Sequence, residues 1–83
     1  MLCAVDREFD AMRRALGANV RRLRCVKKLS QEGLAFDADI DRTYVSQIER
    51  AVINPSLFVL YKISKALDAD VVELLAVSRT RER

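Results

Sequence analysis

From Asp41 to Arg50 the chain reads Asp-Arg-Thr-Tyr-Val-Ser-Gln-Ile-Glu-Arg, a run dense in side chains that donate and accept hydrogen bonds in fixed geometries. Wound as an α-helix at about 100° per residue, it gathers Arg42, Thr43, Ser46, Gln47 and Arg50 within an arc of roughly 140° and turns Val45 and Ile48 the other way. One face can therefore read a partner while the other is buried. Arginine and glutamine make paired bonds to the edges of guanine and adenine, and threonine and serine add single bonds or methyl contacts. The inventory suits base reading in a DNA groove. An ordinary amphipathic helix with a solvated polar face carries the same pattern, so the surroundings must decide.

The elements that would position this helix follow from periodicity and capping residues. Val5, Phe9, Met12, Leu16, Val20 and Leu23 recur every three or four residues, which predicts a helix from about Asp6 to Lys28. Gly17 is expected to bend or break it, because an interior glycine weakens a helix by about 1 kcal/mol. Ser30, ahead of Gln31-Glu32-Gly33-Leu34-Ala35, reads as the N-cap of a short second helix ending near Ala38. Asp37 to Ile40 forms the turn, and Asp41 caps the third helix. Ala51 to Pro55 is a loop. Ser56 then caps a fourth helix, Leu57 to Leu67, with a core stripe of Leu57, Leu60, Ile63 and Leu67. Asp70 and Glu73 form a capping box for a fifth, from Val71 to about Val77. Residues 78–83 are polar and basic and are expected to fray.

Eighty-three residues that are 51% hydrophobic bound a single small core, marginal enough that a second chain could complete it. Two glycines, one proline and the absence of an alternating period make the chain all-α. The net charge of +3 is modest but unevenly spread. Residues 1–28 carry eight basic and three acidic groups, whereas residues 29–50 carry two basic and five acidic groups. Such a field steers a polyanion to one side, although a solvated helix face gives the same run of charge. With no histidine and only Cys3 and Cys25, there is no metal-ligand set and no Cys-His nucleophile. No cofactor and no enzymatic activity are expected. The cysteines are expected to be free thiols in a reducing cytoplasm, and no apolar run approaches the roughly 20 residues that span a bilayer.

Helix, turn and helix have the lengths of a helix-turn-helix unit, and the wording is more specific still. Leu29-Ser30-Gln31-Glu32-x-Leu34-Ala35, then Ile40 through Arg50, then Asn54-Pro55-Ser56-Leu57, resembles the Cro and phage-repressor (XRE) type of helix-turn-helix family. The match runs from about Leu16 to Leu75. Within that family, Asp41-Arg42-Thr43-Tyr44-Val45-Ser46 is similar to small regulators that include restriction-modification controller proteins. The resemblance implies a five-helix, lambda-repressor-like fold, with residues 16–77 as the DNA-binding domain, residues 1–15 as a helical extension of helix 1 or a separate segment before it, and residues 78–83 as a flexible basic tail.

It also implies roles. Arg42, Thr43, Ser46 and Gln47 would face bases in the major groove of double-stranded DNA. Gln31, Tyr44, Arg50 and Asn54 would touch the sugar-phosphate backbone, although Tyr44 could instead cover the core and Arg50 could pair with a carboxylate. Arg24 and Glu49 would form a structural ion pair. Glycine often ends helices in this family, yet the corresponding positions here are Lys28, Asp39, Ala51 and Asp68, so these turns either differ or carry strain. Phe58, Val59 and Tyr61 lie off the predicted stripe, and Val72 and Leu75 cannot all face inward, which predicts a two-fold homodimer through these residues. The apolar stripe of residues 5–12 is a rival contact surface. The resulting expectation is a cytoplasmic, sequence-specific transcriptional regulator that binds a palindromic operator as a dimer, with neither a membrane nor a small-molecule partner. The alternative is a helical antitoxin or protein-protein adaptor.

Overall fold

A computed structural model describes residues 3–77 as five helices, α1 (Ala4–Val26), α2 (Gln31–Ala38), α3 (Arg42–Glu49), α4 (Leu57–Leu67) and α5 (Val71–Leu75). The expected tail at 78–83 lies outside the described residues. Local side chains start the helices as the sequence predicts. Ser30 Oγ accepts from Gly33 N at 2.9 Å, Asp41 Oδ1 from Thr43 N at 2.8 Å and Ser56 Oγ from Val59 N at 3.2 Å. Each satisfies a backbone donor that the first turn leaves orphaned. At α5 the Glu73 carboxylate accepts from Asp70 N at 3.1 Å.

The helix ends also share one geometry. Lys28, Asp39, Ala51 and Asp68 all have φ between 57° and 60°. In each case the next residue reaches back five positions: Leu29 N to Arg24 O, Ile40 N to Ala35 O, Val52 N to Gln47 O, and Ala69 N to Ser64 O, all at 2.9–3.1 Å. These are Schellman closures made without glycine. Aspartate tolerates the left-handed region, whereas Lys28 and Ala51 each carry a cost of about 1 kcal/mol or more there. The turns therefore keep the usual shape and hold strain.

α1 packs on α3 and α5, α2 on α3 and α4, and α4 on α5. The core they enclose is Leu16, Val20, Leu34, Ala35, Ala38, Val45, Ile48, Val59, Leu60, Ile63, Leu67 and Leu74. Several expectations change. Gly17 does not break α1, which runs unbroken from Ala4 to Val26, so the described part of residues 1–15 is an extension of the same helix and not a separate segment. A Cβ on Gly17 would lie 2.6 Å from Ile48 O and 2.8 Å from Glu49 O, so this glycine lets α1 press against the end of α3. Only the second half of the α1 stripe is core. Val5, Phe9 and Met12 are exposed, because α1 outruns the elements it packs on. The turn after α2 begins at Asp39 rather than Asp37.

On α4 the buried face is rotated by part of a turn from the expected one. Leu57 is 73% exposed and Val59 only 9%, because Val59, Ile63 and Leu67 at four-residue spacing meet the core beside Leu60 while Leu57 sits about 90° off that face. Val59 is thus a core residue, not part of an open contact surface. α5 stops at Leu75, and Val77 is exposed beyond it. Asn19 holds this end, its Nδ2 donating to Leu74 O and Ala76 O, both at 2.9 Å. No helix among the described residues is long and apolar enough to cross a membrane.

Candidate nucleic-acid interface

α2, its turn and α3 set the recognition surface. Val45 and Ile48, 0% and 1% exposed, fix α3 by its inner face, and the Asp41 cap fixes where it begins. The opposite face presents Arg42, Thr43 and Arg50 exposed, with Ser46 and Gln47 partly buried beside them. Arg50 Nε donates to Ser46 Oγ at 3.3 Å, so it leans along α3 and pairs with no carboxylate among the described residues. Tyr44 is partly buried and its ring packs against the core. Asn54 is exposed in the loop between α3 and α4. The array offers guanidinium, amide and hydroxyl groups on one helix face, a set able to bond base edges and phosphate oxygens.

Behind that face lies an ion pair. Arg24 Nε donates to Glu49 Oε2 at 2.7 Å and Arg24 Nη2 to Glu49 Oε1 at 3.1 Å, while Arg24 Nη1 donates to Leu29 O at 2.9 Å. The two side chains are 13% and 4% exposed. Hydrogen bonding to Glu49 raises the Arg24 guanidinium above its ordinary range, against the opposing effect of burial. The cation persists at every pH at which the protein would be handled. The pair ties α1 to the C-terminal end of α3 and so opposes sliding or rotation of the recognition helix against the scaffold.

Gln31, which the resemblance places on phosphate, is engaged through its amide within the domain. Nε2 donates to Glu49 Oε1 at 3.0 Å, and Oε1 accepts from Arg42 Nη1 at 3.5 Å. This link joins residues 11 and 18 positions apart, and no local sequence signal specifies it. The close approach at Gly17 was likewise missed. Its only trace is a glycine inside an otherwise regular apolar stripe.

The residues expected at a dimer contact divide. Phe58, Tyr61 and Val72 are exposed, Leu75 is partly buried, and Val59 belongs to the core. Lys62 Nζ stands 4.8 Å above the Phe58 ring and Lys65 Nζ 5.7 Å from that of Tyr61. Beside them an apolar groove of about 280 Å³ runs between α1, α4 and α5, floored by Leu16 and Leu60 and edged by Phe9, Met12, Leu57 and Leu75.

Known proteins share this fold. A family model described as helix-turn-helix matches residues 20–74. The chain is 48% identical over 65 residues to the control protein C.BamHI of Bacillus amyloliquefaciens, covering 77% of this chain and 80% of that protein. It is 39% identical over 67 residues to the control protein C.SmaI of Serratia marcescens, covering 81% and 80%. Among solved structures, the restriction-modification controller protein C.AhdI from Aeromonas hydrophila superposes with a TM-score of 0.72 at 44% identity, covering 75% of this chain and 94% of that one. A hypothetical transcription factor from Neisseria gives a TM-score of 0.77 at 39% identity, covering 80% and 76%. The chain belongs to the helix-turn-helix family of DNA-binding transcription regulators, and not to a family of enzymes.

Proposed function

We propose that this regulator binds a palindromic operator as a homodimer, one α3 helix entering the major groove of each half-site. The observation that carries the reading is the presentation of Arg42, Thr43, Ser46 and Gln47 from one face of a helix whose other face is locked by Val45, Ile48 and the Arg24–Glu49 pair. These four side chains read bases, while Tyr44, Arg50 and Asn54 meet the sugar-phosphate backbone and supply salt-dependent affinity. Exposed Phe58, Tyr61 and Val72, with the apolar groove edged by Leu75, support a two-fold contact built from α4, α5 and the first half of α1. Operator occupancy then blocks or recruits polymerase according to protein concentration.

Selection of bound sites from a random DNA pool tests this directly. The expected product is an inverted repeat whose half-sites are centred about 34 Å apart, one turn of the duplex. An enriched site without two-fold symmetry would remove the dimer from the account, and no enrichment would remove sequence-specific binding.

A further inference from the structure

The elements that would meet DNA are short of positive charge. Residues 29–50, which hold α2, its turn and α3, carry two basic groups against five acidic ones, and residues 51–60 carry no charged side chain. Of the two cations, Arg42 is assigned to bases above, which leaves Arg50 alone to meet phosphates by charge. Affinity for a duplex grows with the number of phosphates neutralised. Further cations must therefore stand at the edge of the reading surface. Two that border α2 and α3 are already committed, Arg24 to Glu49 and Lys62 to Asp39 O at 3.1 Å.

Lys28 is not committed. It is exposed and forms no ion pair among the described residues. It lies in the turn between α1 and α2, three residues before Gln31, and Gln31 and Arg42 open their helices side by side, with Gln31 Oε1 3.5 Å from Arg42 Nη1. The turn is held in place: Leu29 N donates to Arg24 O at 3.0 Å and Arg24 Nη1 to Leu29 O at 2.9 Å, through the same guanidinium that binds Glu49 on α3. A cation on this turn is thus fixed relative to the reading helix.

The backbone supplies a second, independent sign. Lys28 has a φ of 59°, a conformation that glycine adopts freely and any side chain adopts at a cost. Glycine often stands at this position in the family, so the lysine is a departure that lowers stability. Strain of this kind gathers where a side chain has work to do. Lys27, one residue earlier, has an ordinary φ of −86°. We propose that Lys28 binds DNA phosphate: its ammonium neutralises a backbone phosphate at the edge of the half-site, and the fold gives up stability to place it there. The proposal rests on the DNA-binding reading above and leaves the choice of base to α3.

The test compares wild type with Lys28→Gly, Lys28→Ala, Lys28→Arg and Lys27→Ala. Each is titrated against the site selected from the random pool and against a random duplex across a series of salt concentrations, with melting followed in parallel. Lys28→Gly relieves the strain and removes the charge. Its melting midpoint should rise by about 4 °C or more, while its affinity falls about three- to tenfold on both duplexes alike at about 0.1 M salt. The slope of log affinity against log salt should shrink by about 0.9 for each Lys28 engaged. A protein that is more stable yet binds more weakly cannot owe its weakness to unfolding. Lys28→Ala keeps the strained backbone and should match the binding loss without the gain in stability, and Lys28→Arg should bind as wild type does. Lys27→Ala should lose less than half as much on a logarithmic scale.

Wild-type affinity and an unchanged salt slope in Lys28→Gly and Lys28→Ala would overturn the proposal. So would a loss confined to the selected site, which is the mark of base reading, or an equal loss in Lys27→Ala, which is the mark of a diffuse field without a contact. A Lys28→Gly midpoint at or below that of wild type would overturn the exchange of stability for binding. If wild type itself binds neither duplex, the DNA-binding reading falls and the role of Lys28 with it, an outcome distinct from a wild type that binds and Lys28 variants that bind equally well.

Discussion

Glu49→Ala is expected to lower the melting temperature by more than about 12 °C. The substitution leaves the Arg24 guanidinium, 13% exposed, with Leu29 O as its remaining hydrogen-bond acceptor, and it removes the acceptor on which Gln31 Nε2 rests. Removing one member of a buried pair costs about 3 to 5 kcal/mol because the other charge stays desolvated and uncompensated. In a domain of this size each kcal/mol moves the midpoint by about 4 to 8 °C. DNA binding should fall as well, since the pair joins α1 to the end of α3.

A companion variant separates lost charge from lost packing. Arg24→Met with Glu49→Leu removes both charges and keeps apolar bulk, and should recover much of the stability that Glu49→Ala loses. Raising the pH should not mimic the substitution. A guanidinium held above its ordinary value stabilises the fold throughout the range below that value, and the contribution disappears only as the pH climbs through the raised one. Thermal melts of the three proteins check this, and a Glu49→Ala midpoint within a few degrees of wild type would contradict it.

Gly17→Ala is expected to destabilise the domain even though alanine is the better helix former. Propensity alone favours the change by about 1 kcal/mol. The added methyl, however, would sit 2.6 Å from Ile48 O and 2.8 Å from Glu49 O. Both atoms are backbone carbonyls and cannot swing aside as a side chain could. Ile48 O is also engaged by Ala51 N at 3.0 Å, and the Ile48 side chain is buried. Relief requires α1 and α3 to separate, and overpacking of this kind costs about 1 to 3 kcal/mol or more. At the upper end of that range the net cost is about 2 kcal/mol, a fall of about 8 to 16 °C, and DNA affinity should fall with it, because the helix that moves is the one carrying Arg42 and Gln47. Gly33→Ala is the control. Its Cβ would meet Ser30 Oγ at 3.3 Å; that oxygen caps Gly33 N, but a shift of a few tenths of an ångström relieves the contact without parting two helices, so its melting point should change much less.

The parts of this fold that sequence reading anticipates are those decided within a few residues. Ser30, Asp41 and Ser56 cap helices because each lies three or fewer positions from the amide it binds. The left-handed positions were visible as the places where glycine is missing, and Lys28, Asp39, Ala51 and Asp68 occupy them all. What sequence reading misplaces is decided across the fold. Leu57 and Val59 both suit a buried stripe on α4, and only the placement of α1 and α5 selects Val59. Gly17 looks like a weak point until α3 is set against it. The bond from Gln31 Nε2 to Glu49, eighteen residues away, has no local signal at all. At the recognition surface, helical periodicity is enough to group Arg42, Thr43, Ser46 and Gln47, but not to find the bonds among Arg24, Glu49 and Gln31 behind them.

Base reading by Arg42 is the claim on which the functional account depends, and the Arg42→Ala protein tests it most directly. Its affinity for the selected operator and for a random duplex should be measured side by side at one salt concentration. Loss of a paired base contact should lower discrimination by roughly 1 to 3 kcal/mol, about 5- to 150-fold, while affinity for random DNA falls much less. An equal loss on both duplexes would mean that Arg42 only neutralises phosphate, and would contradict the account.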